Sequence, residues 1–145
     1  MIKLLEKSDI EKYWELIEYA VVGKLEPVTS ANSEQIKKAL IDSVLCCHAI
    51  LEPEKDEPLR GFIISAISRD ILTGDQSLLV LGAFAVLEVS EENWADVMVT
   101  LTGFAASNNC GRVIAYTQND QLINLVEKIG LTHTYAFLSL ELKEK

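Results

Sequence analysis

Apolar positions recur at helical spacing over three stretches and alternate or run together over several shorter ones, and their order predicts most of an architecture. Residues 2–5 form a short apolar strand. Ser8-Asp9-Ile10-Glu11 has the spacing of a capping box, in which a serine hydroxyl and a glutamate carboxylate satisfy free N–H groups of a starting helix. Ile10, Trp14, Ile17 and Val21 then share a helical face, until Gly23 and Pro27 break it. The serines at 30 and 33 supply the next caps, and Ile36, Leu40 and Val44 line one side of a second helix.

From residue 46 the pattern becomes strand-like. Glu52-Pro53-Glu54-Lys55-Asp56-Glu57-Pro58 reads as a charged, proline-bounded loop between two antiparallel strands, the second spanning residues 60–68. Thr73-Gly74-Asp75 turns the chain into a third strand over 77–89, whose apolar middle predicts burial on both faces. Gly82 interrupts that run, where a lone glycine marks a bulge or the close approach of another backbone.

Ser90 caps a long helix with Trp94, Val97, Met98, Leu101, Phe104 and Ala105 on one face, ending near Asn108-Asn109-Cys110-Gly111. Residues 112–116 make another strand. Asn119-Asp120 opens a short helix carrying Leu122, Leu125, Val126 and Ile129 with Gly130 as its left-handed C-terminal residue, and residues 135–142 close the chain as an alternating strand.

The order β-α-α-β-β-β-α-β-α-β predicts an α/β (α+β) fold, a mixed sheet of six to seven strands with helices on both faces. At 145 residues the chain reads as one domain, 1–145, burying roughly 70% of its unfolded surface. Nearly half its residues are hydrophobic and no tract is biased, so it should fold end to end.

A net charge of −9 and the absence of a basic patch speak against nucleic-acid binding, which rests on Lys and Arg displacing counterions. No apolar run approaches the roughly 20 residues that cross a bilayer, and the opening residues carry no signal-peptide pattern. Three cysteines, two adjacent in an apolar stretch, suit small core residues in a reducing compartment, and the expected location is cytoplasmic. Cys46, Cys47, His48, Cys110 and His133 supply the residue types of a zinc site but none of its spacings, so no metal is expected.

Tyr116-Thr117-Gln118-Asn119-Asp120 followed by Leu125-Val126-Glu127-Lys128-Ile129-Gly130-Leu131 resembles the strand, asparagine and "Tyr-Glu-Lys-Leu-Gly-Phe" helix end of the GNAT N-acetyltransferase superfamily, although any capped helix shows a similar ending. The order of elements resembles that family along nearly the whole chain. The resemblance implies that Phe84, Ala85 and Val86 would lend backbone groups to a pantetheine arm, with Asn119 near the coenzyme A arm or serving as a helix cap.

The chain departs from the family at two places. A turn of the form Arg/Gln-x-x-Gly-x-Gly/Ala lets backbone N–H groups approach a pyrophosphate at a helix N-terminus. The matching stretch, Leu87-Glu88-Val89-Ser90-Glu91-Glu92-Asn93-Trp94, has no glycine and no cation, and Glu91 and Glu92 already complement the helix dipole. The family's tyrosine acid, which protonates the leaving thiolate, aligns with Val126, which has no proton to give. Ser65, Ser68 and Asp70 are the polar candidates for a general base, and Glu88 lies past the strand's middle, so no residue is assigned as catalytic.

Two functions remain open. The first is a degenerate GNAT-like domain without a cofactor, serving as a structural or protein-interaction module with a protein partner. The stretch from Trp94 through Ala105-Ala106, Cys110 and Tyr116 to Asn119 is similar to GNAT-like bacteriophage proteins, which implies a virion-associated or host-cytoplasmic role. The second is an acetyl-CoA-dependent N-acetyltransferase with an atypical pyrophosphate site.

Overall fold

The computed structural model describes residues 1–22, 30–115 and 127. Five strands and three helices follow the predicted order: β1 (Ile2–Leu4), α1 (Lys7–Val22), α2 (Ser30–Ile41), β2 (Cys46–Leu51), β3 (Leu59–Arg69), β4 (Gln76–Ala85), α3 (Glu91–Ser107) and β5 (Arg112–Ala115). All eight lie within the unit Met1–Ala115. The expected last helix and strand, with Asn119, Val126, His133 and Tyr135, lie outside the described residues, so five of the six to seven expected strands are seen.

The strands form one sheet in the order β1-β2-β3-β4-β5. Each pair is antiparallel up to β4, and β5 runs parallel to β4 after the α3 crossover. Alternation along the strands divides the core into two. On one face α1 and α2 bring Ile10, Trp14, Ile17 and Leu40 against Cys47, Ala49, Phe62, Ile64 and Phe84. On the other, α3 brings Val97, Leu101 and Ala105 against Ile50, Ile63 and Leu78. Each fully buried large side chain contributes about 1.5–3 kcal/mol, which is how two thin layers hold one twisted sheet.

Three expectations need correction. The capping box of α1 lies two residues earlier than Ser8 to Glu11. The helix starts at Lys7, and the Asp9 carboxylate accepts the Glu6 N–H at 3.0 Å. The ladder explains the shift: Leu5 donates its N–H to the Cys47 carbonyl at 2.9 Å, so the chain leaves the sheet and enters the helix with no residues to spare. Val44 does not join the apolar face of α2. Ser43 takes a left-handed φ of 61°, the N–H groups of Val44 and Leu45 close on the Ala39 carbonyl, and Val44 stands 68% exposed.

Strand β4, expected to run to residue 89 and to be buried on both faces, ends at Ala85 and is buried on both only near its start. Beyond Val80, Leu81, Ala83 and Ala85 are exposed while Phe84 stays in the core. Leu81 is the extra residue of a bulge, since Ile64 pairs with Gly82 and Ser65 with Val80. Gly82 therefore marks a bulge as its position suggested. A Cβ there would lie 2.4 Å from the Phe84 ring.

The capping expected of α3 is found. Ser90 accepts the Asn93 N–H at 3.2 Å. At the other end Asn109 takes the left-handed φ of 60°, and the Cys110 and Asn109 N–H groups close on the carbonyls of Ala105 and Ala106 in the pattern of a Schellman motif.

Gly61 packs so closely on β4 that a Cβ would stand 2.6 Å from the Phe84 carbonyl oxygen, which is backbone and does not yield. Gly61→Ala should cost about 1–3 kcal/mol of stability in urea unfolding, with the slope of the transition unchanged.

Candidate functional site

The expected anion-binding turn, residues 87–94, runs from the end of β4 into the first turn of α3. Helix N-termini leave N–H groups unsatisfied, and an anion placed there is stabilised by them and by the helix dipole. In this chain an internal carboxylate takes that place. Glu52, the first residue after β2 and buried, accepts the Ser90 N–H at 3.4 Å.

Arg60 locks this carboxylate in position. Its Nε lies 3.0 Å from a Glu52 oxygen, and Nε and a terminal nitrogen donate to the Glu88 carbonyl at 2.9 and 2.6 Å. The Arg60 carbonyl in turn accepts the N–H groups of Val86 and Leu87 at 2.9 and 3.0 Å. One residue of β3 thus fastens the whole descent from β4 to α3, and its guanidinium gives the turn a cation that the local sequence lacks.

Asn93 completes the lining. It is buried at the first turn of α3, and its side-chain amide donates to the Leu51 carbonyl at 3.4 Å. Glu54, Glu92 and Asp96 stand with Glu52, Ser90 and Asn93 around a cavity of about 190 Å³. Four carboxylates line it. Met1 lines it as well, and its terminal ammonium donates to the Leu51 carbonyl at 2.9 Å and to the Asn93 side-chain oxygen at 3.2 Å, one positive charge against the four.

Hydrogen bonding from Ser90 holds the Glu52 carboxyl below the usual carboxylate range, overcoming the upward push of burial, and the charges of Arg60 and Lys55 add to the lowering. The carboxylate therefore takes up a proton less readily in the folded chain than in the unfolded one.

Residues singled out from the sequence are scattered. Phe84 turns its side chain into the α1–α2 layer, Ala85 is exposed on the opposite face, and the Val86 N–H is already committed to Arg60. Of the possible general bases, Ser65 is fully buried with its hydroxyl unpartnered and Ser68 is exposed on the arm of β3. Asp70 spends its carboxylate on the N–H groups of Leu72 and Thr73 at 2.8 and 3.0 Å. Glu88 is exposed and contributes its backbone carbonyl to Arg60.

Cys47 is buried and its thiol is pushed up to about 12 by that burial, with Cys46 beside it adding to the rise, so it is no nucleophile. His48 is buried against the Phe104 ring at 4.9 Å, its Nδ1 has no partner, and burial lowers its pKa. Among the described residues no group of histidine, cysteine and carboxylate side chains is placed to hold a metal.

With the sheet order, the bulged β4, the parallel β5 and the α3 turn in view, comparison with solved structures becomes decisive for the architecture. The fold is that of the GNAT acetyltransferases. A probable acetyltransferase superposes with a TM-score of 0.77 at 14% identity, over 100% of this chain and 99% of its own. AAC(6′)-Iy in complex with the bisubstrate analogue CoA-S-monomethyl-acetylneamine gives 0.71 at 16%, over 99% and 97%. A ribosomal-protein-alanine N-acetyltransferase from Brucella melitensis biovar Abortus 2308 gives 0.66 at 14%, over 98% and 99%. No protein-family model matches the chain, and no curated protein does.

Glu52 and Arg60 escaped the sequence reading because the loop after β2 and the turn before α3 are 38 residues apart where Glu52 meets Ser90. The one local signal was a glutamate and an arginine at the two ends of a proline-bounded loop.

Two pH dependences follow. A carboxyl whose folded pKa is depressed stabilises fully above its unfolded value, about 4.5 for Glu52, and that contribution is lost as pH falls. Melting curves of wild type and Glu52→Gln should converge as pH drops below that value. The buried neutral His48 acts in the same direction from about 6.5 downward, since the unfolded chain binds the proton more readily. His48→Leu should flatten the fall in melting temperature between neutral pH and the carboxylate range.

Proposed function

We propose that this chain is a GNAT-fold domain that does not use acetyl-CoA and serves as a structural or protein-interaction module. One observation carries the reading: the N-terminus of α3 is filled by the chain's own Glu52, held there by Arg60 and Ser90. A diphosphate at that spot would have to expel a buried carboxylate from its hydrogen bonds and then sit beside Glu54, Glu92 and Asp96. Both steps oppose binding. The residues here do not fit the diphosphate of coenzyme A, and no chemical step is routed through it.

The committed N–H groups of Val86 and Leu87 support the same reading, because an extended thioester arm needs free backbone donors along the strand it joins. Of the candidate bases near β4, Ser65 is buried without a partner and Asp70 binds the N–H groups of its own turn, while Ser68 and Glu88 are exposed at opposite ends of the hairpin. On this reading what the fold gives the chain is a sheet packed on both faces, and the partner is a protein.

A second reading has one observation in its favour. Beyond Val80 the α3-side face of β4 at Ala83 and Ala85 is exposed, which leaves a small-residue strip where an acyl-CoA arm would run in an active N-acetyltransferase. Thermal unfolding with acetyl-CoA separates the two. A ligand at 100 times its dissociation constant adds about 2.7 kcal/mol, several degrees of melting temperature for a chain of this size. A melting temperature unmoved by millimolar acetyl-CoA is expected; a shift of that size would establish cofactor binding and end the first reading.

A further inference from the structure

Strand β3 outruns its neighbour. Its pairing with β2 ends at Ser65, opposite Cys46, whereas its pairing with β4 continues through Ala66, Ile67 and Ser68 to Arg69, opposite Gln76. On the β2 side those four residues face no strand among the described residues. An edge of this kind presents unpaired N–H and carbonyl groups, a template for another strand.

The tip of the same hairpin is rigid and apolar. Asp70 binds the N–H groups of Leu72 and Thr73 with its carboxylate, donates its own N–H to the Asp75 carbonyl at 2.8 Å and accepts the Gly74 N–H at 2.8 Å. Gly74 supplies the left-handed φ of 75° that closes the turn. This framework displays Ile71 and Leu72 at 97% and 95% exposure, with Ile67 at 41% on the strand below them. Ile71 and Leu72 are the most exposed large hydrophobic side chains among the described residues.

Charge decides which occupant fits. Residues 52–60 and 88–96 carry eight carboxylates against Lys55 and Arg60, which is −6 of the net −9. They surround the opposite end of β3. At the arm Arg69 and Arg112 balance Asp70 and Asp75. The 11 residues of β3 separate the two ends by roughly 33 Å, several times the screening length of about 8 Å at physiological salt. Two copies that meet through their arms keep their acidic ends far apart, and every approach through the other end is repelled.

We propose that the open edge of β3 at Ala66, Ile67, Ser68 and Arg69, with Ile71 and Leu72 at the tip, docks a second copy of this chain by antiparallel strand pairing. The two sheets become continuous through their β3 edges, and the exposed aliphatics of each arm pack on the other. The contact satisfies backbone groups that a monomer leaves to water and covers the largest exposed side chains of the hairpin.

The full chain, sedimented over a concentration series from micromolar to millimolar, should rise from 16.1 kDa toward about twice that mass. Ile67→Lys, and separately the double variant Ile71→Asp with Leu72→Asp, should stay at 16.1 kDa while melting as the wild type does, since all three side chains lie at the surface. Amide exchange at residues 66–69 should slow as wild-type concentration rises and not in the variants. A wild-type chain that stays monomeric throughout, or a dimer that both variants leave intact, overturns the proposal. So does dimerisation without protection of residues 66–69.

Discussion

The ion pair of Glu52 with Arg60 at the start of α3 is the contact on which the rest of this molecule's character depends. It joins three segments distant in sequence: the end of β2, the beginning of β3 and the turn that carries β4 into α3. Buried pairs of this kind rarely add much stability over an apolar substitute, because desolvation offsets the attraction. They fix geometry instead. Here the geometry fixed is that of a helix N-terminus, and the anion fixed in it is part of the chain.

The sheet contributes a second constraint through the bulge at Leu81. One extra residue on β4 reverses which face the following side chains occupy, so Phe84 enters the α1–α2 layer while Ala83 and Ala85 face the other way. A close approach at Gly61, which pairs with Ala85, holds β3 tightly against the end of β4. The bulge explains why side chains beyond Val80 change face, and the bonds that Arg60 makes to residues 86–88 explain why the turn into α3 is anchored by β3 and not by β4 itself.

How far the sequence foretold this depends on the range of each interaction. Ser90 as a cap, Gly74 in a turn, the left-handed end of α3 and the antiparallel hairpin around residues 52–58 were legible, since each is decided within a few residues. The α1 cap was misplaced because a ladder bond from Leu5 to Cys47, a contact across the sheet, sets where the helix can begin. Burial along β4 was misjudged for a related reason: an apolar run reports what a strand tolerates, whereas the bulge at Leu81, set by pairing with β3, decides which face each later side chain takes. The turn before α3 was legible as glycine-free and capped by Ser90, yet Glu52 and Arg60, which meet it in the fold, lie outside it.

That last point bears on what a shared fold can mean here. Chains with about 14% identity superpose over nearly the whole length because the sheet order, the bulge and the crossover are set by apolar periodicity and by turns, which many sequences satisfy. Function resides in the site and not in the fold, and in this chain what meets the start of α3 is Glu52 from the end of β2. A single glutamate delivered from another loop changes that meeting without moving a strand. The same distribution of charge makes one end of β3 strongly acidic and leaves the other balanced, and it is the acidic end that meets the start of α3.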